Sequence, residues 1–303
     1  GRNIPIERPI FLMGRQGGGL TLLTRMLRRQ GQVLTGSGGK RWWSGPDEIQ
    51  NIFGPCLPAD LAGTRWKVPP HPLFGPLRSW SFGTGTLYPE YRRTELDLTP
   101  ELRRALRGTI RYALARHGSG IAGVRFLDKS QTFMLRVGLI YAALKDTDPC
   151  FVLMPRDPYV SVWRAAIGKA RDMADVMDRT TMTQRLEFCA EHYARCMGDV
   201  LADAERLGFA LHILRFEALL AEPEMELKRL CSSLALEYSP DMIPSPSHTL
   251  PFASRFKDRW YPLKPEVNAE YFPRIRDEAF DIVNNACADV IPRLGYSLRQ
   301  GPS

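Results

Sequence analysis

Apolar residues along the chain fall into short runs that alternate with longer stretches of helical spacing, and this alternation predicts the fold before any motif is considered. Residues 9–13 (PIFLM) form an apolar run closed by Gly14, which reads as a buried strand with a glycine stop. Residues 21–29 then carry Leu22, Leu23, Met26 and Leu27 at helical spacing. Thr99-Pro100-Glu101 starts a second helix, with a capping hydroxyl and a proline in its first turn, and the pattern runs to His117-Gly118. Residues 124–127 read as a strand, 133–144 as a helix, 150–154 as a second buried strand and 160–170 as a helix. The longest helical pattern, 182–207, stops at Gly208; 211–216 follows as a strand, before a helix through Leu227, Leu230 and Leu234. Strands alternating with helices predict an α/β, three-layer fold, with a central parallel sheet flanked by helices and ligands at the carboxyl ends of its strands. Residues 31–98, rich in Gly, Pro, Trp and Arg and without a period, are predicted to be substrate-facing loops and short helices.

At 303 residues and 44% hydrophobic content, the chain fits one domain spanning 1–303. A net charge of +8 suits an anionic partner, but no dense lysine tract or RNA-binding aromatic pattern accompanies it, so no nucleic-acid partner is expected. Six scattered cysteines without CxxC or Cys/His spacing read as free thiols, and no metal site is expected. Together with the lack of Asn-x-Ser/Thr acceptors, this suits a reducing compartment. No apolar stretch of about 20 residues is long enough to span a membrane. A cytoplasmic location is therefore expected, or the Golgi lumen if an anchor preceding Gly1 has been removed.

The chemistry concentrates after the first apolar run. Gly14 and Gly19 stand at the spacing of a Walker A loop, but Leu20 occupies the lysine position that would reach the β- and γ-phosphates. The amides of Gly17, Gly18 and Gly19 and the hydroxyl of Thr21 remain able to bind a phosphate or sulfate, although a strand-to-helix turn serving only packing has the same composition. Pro155-Arg156-Asp157-Pro158 places a fixed cation directly after residues 150–154, and Arg164, eight residues on, shares its face if the helix starts near Pro158. A pairing of Arg156 with Asp157 is the alternative. Lys129-Ser130 ends the strand at 124–128 and lies next to the glycine loop if the two strands are neighbours. Near the C-terminus, Arg255, Lys257 and Arg259 are interleaved with Phe256 and Trp260, a composition suited to gripping phosphate while stacking on a base, or to a basic surface loop.

In chain order these pieces resemble the sulfotransferases that use 3′-phosphoadenosine 5′-phosphosulfate (PAPS), particularly their bacterial and Golgi-like branches. Gly14, Gly19 and Thr21 fall on the family's 5′-phosphosulfate loop, G-x-x-[RK]-S-G-T-T; Lys129-Ser130 resembles its Lys-Ser-Pro turn; FVLMPRDP at 151–158 is similar to its 3′-phosphate strand; and LRFEALLAEP at 214–223 resembles V-R-Y-E-D-L-x-x-x-P. The resemblance implies a P-loop-like fold and PAPS as co-substrate, held by Arg15, Gln16, Gly17, Gly18, Gly19, Leu20, Thr21, Arg156, Arg164, Arg255, Lys257 and Arg259. Three loop positions depart from the family: Gly17 replaces its Arg or Lys, Gly18 its Ser and Leu20 a Thr. Arg15, Lys40 or Lys129 is expected to supply the missing charge. Arg164 stands where the family has the serine that binds the 3′-phosphate, with Ser161 as a substitute.

Sulfuryl transfer requires a base for the acceptor hydroxyl. The resemblance points to the segment after the first helix, where Glu48 is favoured, with His71 as a second candidate and Asp47 behind them; Lys129 completes the expected catalytic set. Trp42, Trp43, Gly45 and Pro46 suggest a substrate-lining loop around Glu48, while a helix-opening role at Ile49 is the alternative. His117, His192 and His212 read as structural. The resemblance implies a glycan, lipid or small metabolite as acceptor, and the tryptophans at 42, 43, 66 and 80 suit a sugar face, an aromatic metabolite or a lipid equally. Two other functions carry the same loop: a P-loop nucleotide kinase or NTPase, and a catalytically inactive sulfotransferase-like binding protein.

Overall fold

The computed structural model describes residues 4–36, 48–62, 71, 74, 81–85, 87–118, 120–169, 171–245 and 263–301. Five strands, β1 (Ile10–Met13), β2 (Val33–Thr35), β3 (Arg125–Asp128), β4 (Cys150–Leu153) and β5 (Leu211–Ile213), form one sheet in the order β2-β3-β1-β4-β5. Every pairing is parallel, as the alternation of strands and helices requires. Between them run α1 (Leu20–Arg28), α2 (Pro100–His117), α3 (Val137–Leu144), α4 (Pro158–Arg164) and α5 (Met182–Leu207). After β5 come α6 (Phe216–Ala221), α7 (Pro223–Leu234) and α8 (Asp277–Cys287).

Alternate residues of each central strand enter two separate cores. Phe11, Met13, Phe126, Phe151 and Leu153 pack with α2, α3, α4, α5 and α8 on one face. Ile10, Leu12, Leu127 and Val152 pack with α1, α6 and α7 on the other. This period of two, buried on both sides, is why the strands read as continuous apolar runs. The helices start where their caps predict: Thr99 accepts from the Leu102 N–H at 3.2 Å, and the Thr181 hydroxyl from the Gln184 N–H at 3.2 Å. Gly208, in the left-handed conformation, ends α5.

Four readings of the sequence are corrected. The stretch 31–98 contributes the edge strand β2 as well as the one-turn helices Ile49–Ile52, Ala59–Ala62 and Tyr88–Tyr91, because three residues are too few to show a period. The pattern at 133–144 divides into a 3-10 turn, Gln131–Leu135, and α3, with Arg136 between them. The helix expected over 160–170 starts at Pro158 and becomes a π turn at Ala165–Lys169. The strand expected to Phe216 ends at Ile213, since Phe216 opens α6.

The sheet order places β1 between β3 and β4, so the chain leaves β1 toward one edge and β4 toward the other. Ligands of open α/β sheets bind at such a switch point, beyond the strands' carboxyl ends. The register brings Met13 opposite Leu153, Leu153 opposite Ile213 and Phe11 opposite Asp128, so the loops after β1, β3, β4 and β5 emerge on one edge.

Candidate active site

The loop from Gly14 to Gly19 occupies this switch point, and its geometry requires the two spaced glycines. A Cβ on Gly14 would stand 2.8 Å from the Met154 carbonyl oxygen. Gly19 has φ +93°, and a Cβ there would meet the Phe216 ring at 2.5 Å. Gly19 gives α1 no side-chain cap, and no acidic residue lies in the first turn, so the positive end of the helix is open to an anion. Of the three amides expected to serve the anion, that of Gly18 is used within the loop, donating to the Arg15 carbonyl at 3.0 Å.

Two arginines converge on this loop. Arg156, directly beyond β4, and Arg164, at the end of α4, both donate to the Gly17 carbonyl, at 2.9 and 3.2 Å. Arg156 does not pair with Asp157, whose carboxylate caps α4 at the Val160 N–H and meets Arg299 at 3.2 Å. Instead its Nε and Nη2 donate to Asn268 Oδ1 at 2.9 and 2.6 Å. Asn268 in turn donates to Glu217, which also accepts from Tyr296 at 2.7 Å and from the Asp157 N–H at 2.9 Å. Burial, and then the neighbouring Arg164 charge, push the Arg156 guanidinium down to about 10. Two partly desolvated cations sharing one neutral carbonyl form a site that an anion would stabilise.

At the end of β3, Lys129 Nζ lies 2.9 Å from Glu48 Oε1, and both side chains are buried. Glu48 also accepts from Gln50 and Asn51, at 2.7 and 2.6 Å. Asp128 holds this segment in place: it accepts from the Ile49 N–H at 2.7 Å and from the Ser130 N–H and hydroxyl at 2.8 and 3.0 Å. Burial, opposed by those hydrogen bonds and helped by the Glu48 charge, raises its carboxyl to about 7. The folded protein therefore keeps a proton that the unfolded chain has lost, and Asp128's contribution to stability falls as pH rises from about 4 to about 7. Asp128→Asn is expected to remove this dependence, flattening the stability–pH slope in that window by about 1.4 kcal/mol per unit relative to wild type. Denaturation of both proteins across that pH range measures it; parallel slopes would refute it.

These groups line one cleft of about 660 Å³, which contains Arg15, Gln16, Gly17, Gly19, Leu20, Thr21, Glu48, Lys129, Arg156 and Arg164. Leu22, Phe216, Leu220, Leu263 and Val267 give it an apolar wall, and Lys264 adds a cation. Gly18 lies in the loop behind the lining. His71 is elsewhere, 5.0 Å from the Phe74 ring and 5.3 Å from Phe188, and burial lowers its pKa. Lys40, Trp42, Trp43, Gly45, Pro46, Asp47, Trp66, Trp80, Arg255, Lys257 and Arg259 fall outside the described residues. Lys264, Asn268 and Tyr296 escape a reading of the sequence because their partners are far away in the chain. Glu217 lies within the LRFEALLAEP block, but nothing there reveals that it meets Asn268. Among the described residues no group of His, Cys, Asp or Glu could hold a metal ion, and no helix is long and apolar enough to cross a membrane.

Solved structures share this architecture. The chain is similar to the sulfotransferase domain of the curacin biosynthetic pathway, with TM-score 0.53, 14% identity, and 98% of this chain and 100% of that one covered. Similar too are the sulfotransferase domain of the Synechococcus PCC 7002 olefin synthase (TM-score 0.54, 15% identity, 98% of each chain) and a sulfotransferase from Mycobacterium avium (TM-score 0.57, 14% identity, 99% of this chain and 80% of that one). At such identities the likeness is one of fold. No curated protein sequence matches the chain. The family model described as "Sulfotransferase family" matches residues 9–240, which carry the glycine loop, Lys129, Arg156, Arg164 and Glu217. The chain therefore belongs to the sulfotransferase family.

Proposed function

We propose that this protein transfers a sulfuryl group from PAPS to the hydroxyl of a glycan, lipid or small metabolite. One observation carries the reading: the open N-terminus of α1, the cations Lys129, Arg156 and Arg164, and the carboxylate Glu48 meet in a single cleft beside an apolar wall. The cations and helix amides suit the two phosphate groups of the donor, and the wall formed by Phe216, Leu220, Leu263 and Val267 suits a base.

In the transfer, the acceptor oxygen forms a bond to sulfur as the bond from sulfur to the 5′-phosphate oxygen breaks, and 3′-phosphoadenosine 5′-phosphate (PAP) leaves. Glu48 accepts the acceptor's proton, while Lys129 and the α1 amides stabilise charge on the departing phosphate. The altered loop is compensated in space. A Cβ on Gly17 would stand 3.4 Å from Arg164 Nη1, so a guanidinium from α4 occupies the region into which a cationic side chain at position 17 would project. Arg164 thus takes over charge that Gly17 cannot provide.

Calorimetry with PAP, using ATP as the control, tests the donor assignment. Micromolar PAP binding that is tighter than ATP binding is expected, because Leu20 cannot reach a γ-phosphate as the Walker lysine does. Absence of PAP binding, or a preference for ATP, would overturn it.

A further inference from the structure

The one-turn helix Ile49–Ile52 is pinned to the turn that carries Lys129. Its first two N–H groups donate into that turn, Ile49 to Asp128 at 2.7 Å and Gln50 to the Ser130 hydroxyl at 3.2 Å. Glu48 precedes the helix with extended backbone, and its carbonyl accepts from the Asn51 and Ile52 N–H groups, both at 3.0 Å. Its carboxylate makes no cap and turns to Lys129 instead.

Gln50 is 7% exposed and, unlike Glu48, does not line the cleft. Its Oε1 accepts from the Thr132 N–H at 3.1 Å and from the Thr132 hydroxyl. A backbone N–H can only donate, so the amide oxygen of Gln50 must face Thr132 and its NH2 must face Glu48. That NH2 donates to Glu48 Oε2 at 2.7 Å, and Asn51 donates to the same oxygen at 2.6 Å. Among the described residues, Oε1 accepts from Lys129 Nζ alone. Both lone-pair positions of Oε2 are thus filled, while Oε1 keeps one open beside the lysine.

We infer that Gln50 is a positioning residue of the transfer: locked by Thr132, its amide holds Oε2 so that the open lone pair of Oε1 takes the acceptor's proton. This rests on the transferase reading above, in which Glu48 is the base. In that step the acceptor's O–H bond breaks as its oxygen bonds to sulfur, the proton passes to Glu48 Oε1, and PAP leaves with the electron pair of the broken S–O bond. A carboxylate free to rotate between its lysine and solvent would present that lone pair only part of the time, so Gln50 acts on rate rather than on donor affinity.

The test compares Gln50→Met and Gln50→Glu with the wild-type full chain, reading PAP release from PAPS with glycerol as acceptor between about pH 5 and about pH 8. Gln50→Met keeps the reach but has no donor, and PAP release is expected to fall about tenfold with PAP affinity within about twofold of wild type. Gln50→Glu puts a carboxyl where the amide stands 2.7 Å from Glu48. Two carboxyls so close hold one proton between them, and it is lost only above the ordinary glutamate range. While that proton is held, the new group donates to Glu48 as the amide does; once it is lost, the group repels Glu48. The rate of Gln50→Glu relative to wild type is therefore expected to fall at least about fivefold as pH rises through that window, a fall that Gln50→Met does not show. The other charged groups around Glu48 are Lys129 and Asp128 at the end of β3 and, lining the same cleft, Arg15, Arg156, Arg164 and Lys264. Dividing by the wild-type rate at each pH removes the titrations common to both proteins.

Gln50→Glu is isosteric and carries the test if melting curves show that Gln50→Met does not fold. A Gln50→Glu ratio that does not fall with pH, or Gln50→Met turnover equal to wild type, would overturn the role. So would a loss of PAP affinity in parallel with rate, which would mark Gln50 as a structural support of the whole site. A wild-type protein that binds PAP but releases none from PAPS would remove the base role of Glu48 and that of Gln50 with it. One that binds no PAP would instead remove the transferase reading itself.

Discussion

Arg156→Ala is expected to weaken PAP binding by about a hundredfold or more. The guanidinium is buried and donates through three nitrogens, two to Asn268 Oδ1 and one to the Gly17 carbonyl. Its orientation is set by the Glu217–Asn268 pair, so the charge stands in place before an anion arrives. A charge-assisted hydrogen bond in such a site contributes about 1.5–3 kcal/mol, and each 1.4 kcal/mol is tenfold in affinity. Loss of the side chain also leaves the Gly17 carbonyl to Arg164 alone and Asn268 without its cation. Arg156→Lys separates the two effects: it keeps the charge but cannot bond Asn268 in the forked manner, so it should recover only part of the affinity. Calorimetry on both variants, with melting curves to monitor folding, measures this. PAP affinity unchanged in Arg156→Ala would remove Arg156 from the donor site.

Lys129→Ala is expected to lower turnover by about 10²–10³-fold with a smaller effect on PAP affinity, because its charge matters most as the phosphate oxygen becomes negative. Release of PAP from PAPS, with water or any hydroxyl compound as acceptor, reads the rate whichever acceptor is the natural one. The same change strands Glu48, whose Oε1 lies 2.9 Å from Lys129 in a buried site. Breaking a buried pair from one side costs about 3–5 kcal/mol, more than removing both charges together. Lys129→Ala should therefore melt below the Lys129→Ala/Glu48→Gln double variant, while both remain slow. If the double variant recovered turnover, the defect would be one of stability and Lys129 would lose its catalytic role.

The sequence made the layered architecture legible because burial on both faces of a parallel sheet leaves uninterrupted apolar runs, of which β1 and β4 are the clearest. It concealed β2, whose three residues are too short for a pattern. The separation of Gly14 and Gly19 announced the loop, since close approach to Met154 and Phe216 tolerates nothing larger. Lys129, Arg156 and Arg164 were legible as cations at strand ends or on a following helix. Their convergence on the glycine loop was legible only on the condition that the strands be neighbours, and the contribution of Lys264, Asn268 and Tyr296 was not legible at all. Asp128 was equally silent, because an acidic residue beside a lysine reads as solvated polarity until burial is seen.

The chain's own residues thus determine where strands and helices form, where the glycine loop must turn and which side chains carry charge, since all of these follow from local sterics and periodicity. The tertiary structure alone decides that β1 lies between β3 and β4, and hence that Glu48 meets Lys129 across 81 positions and that Arg156 meets Gly17 across 139. Strand order is a global choice among packings of similar faces, and no local pattern encodes which strand ends become neighbours.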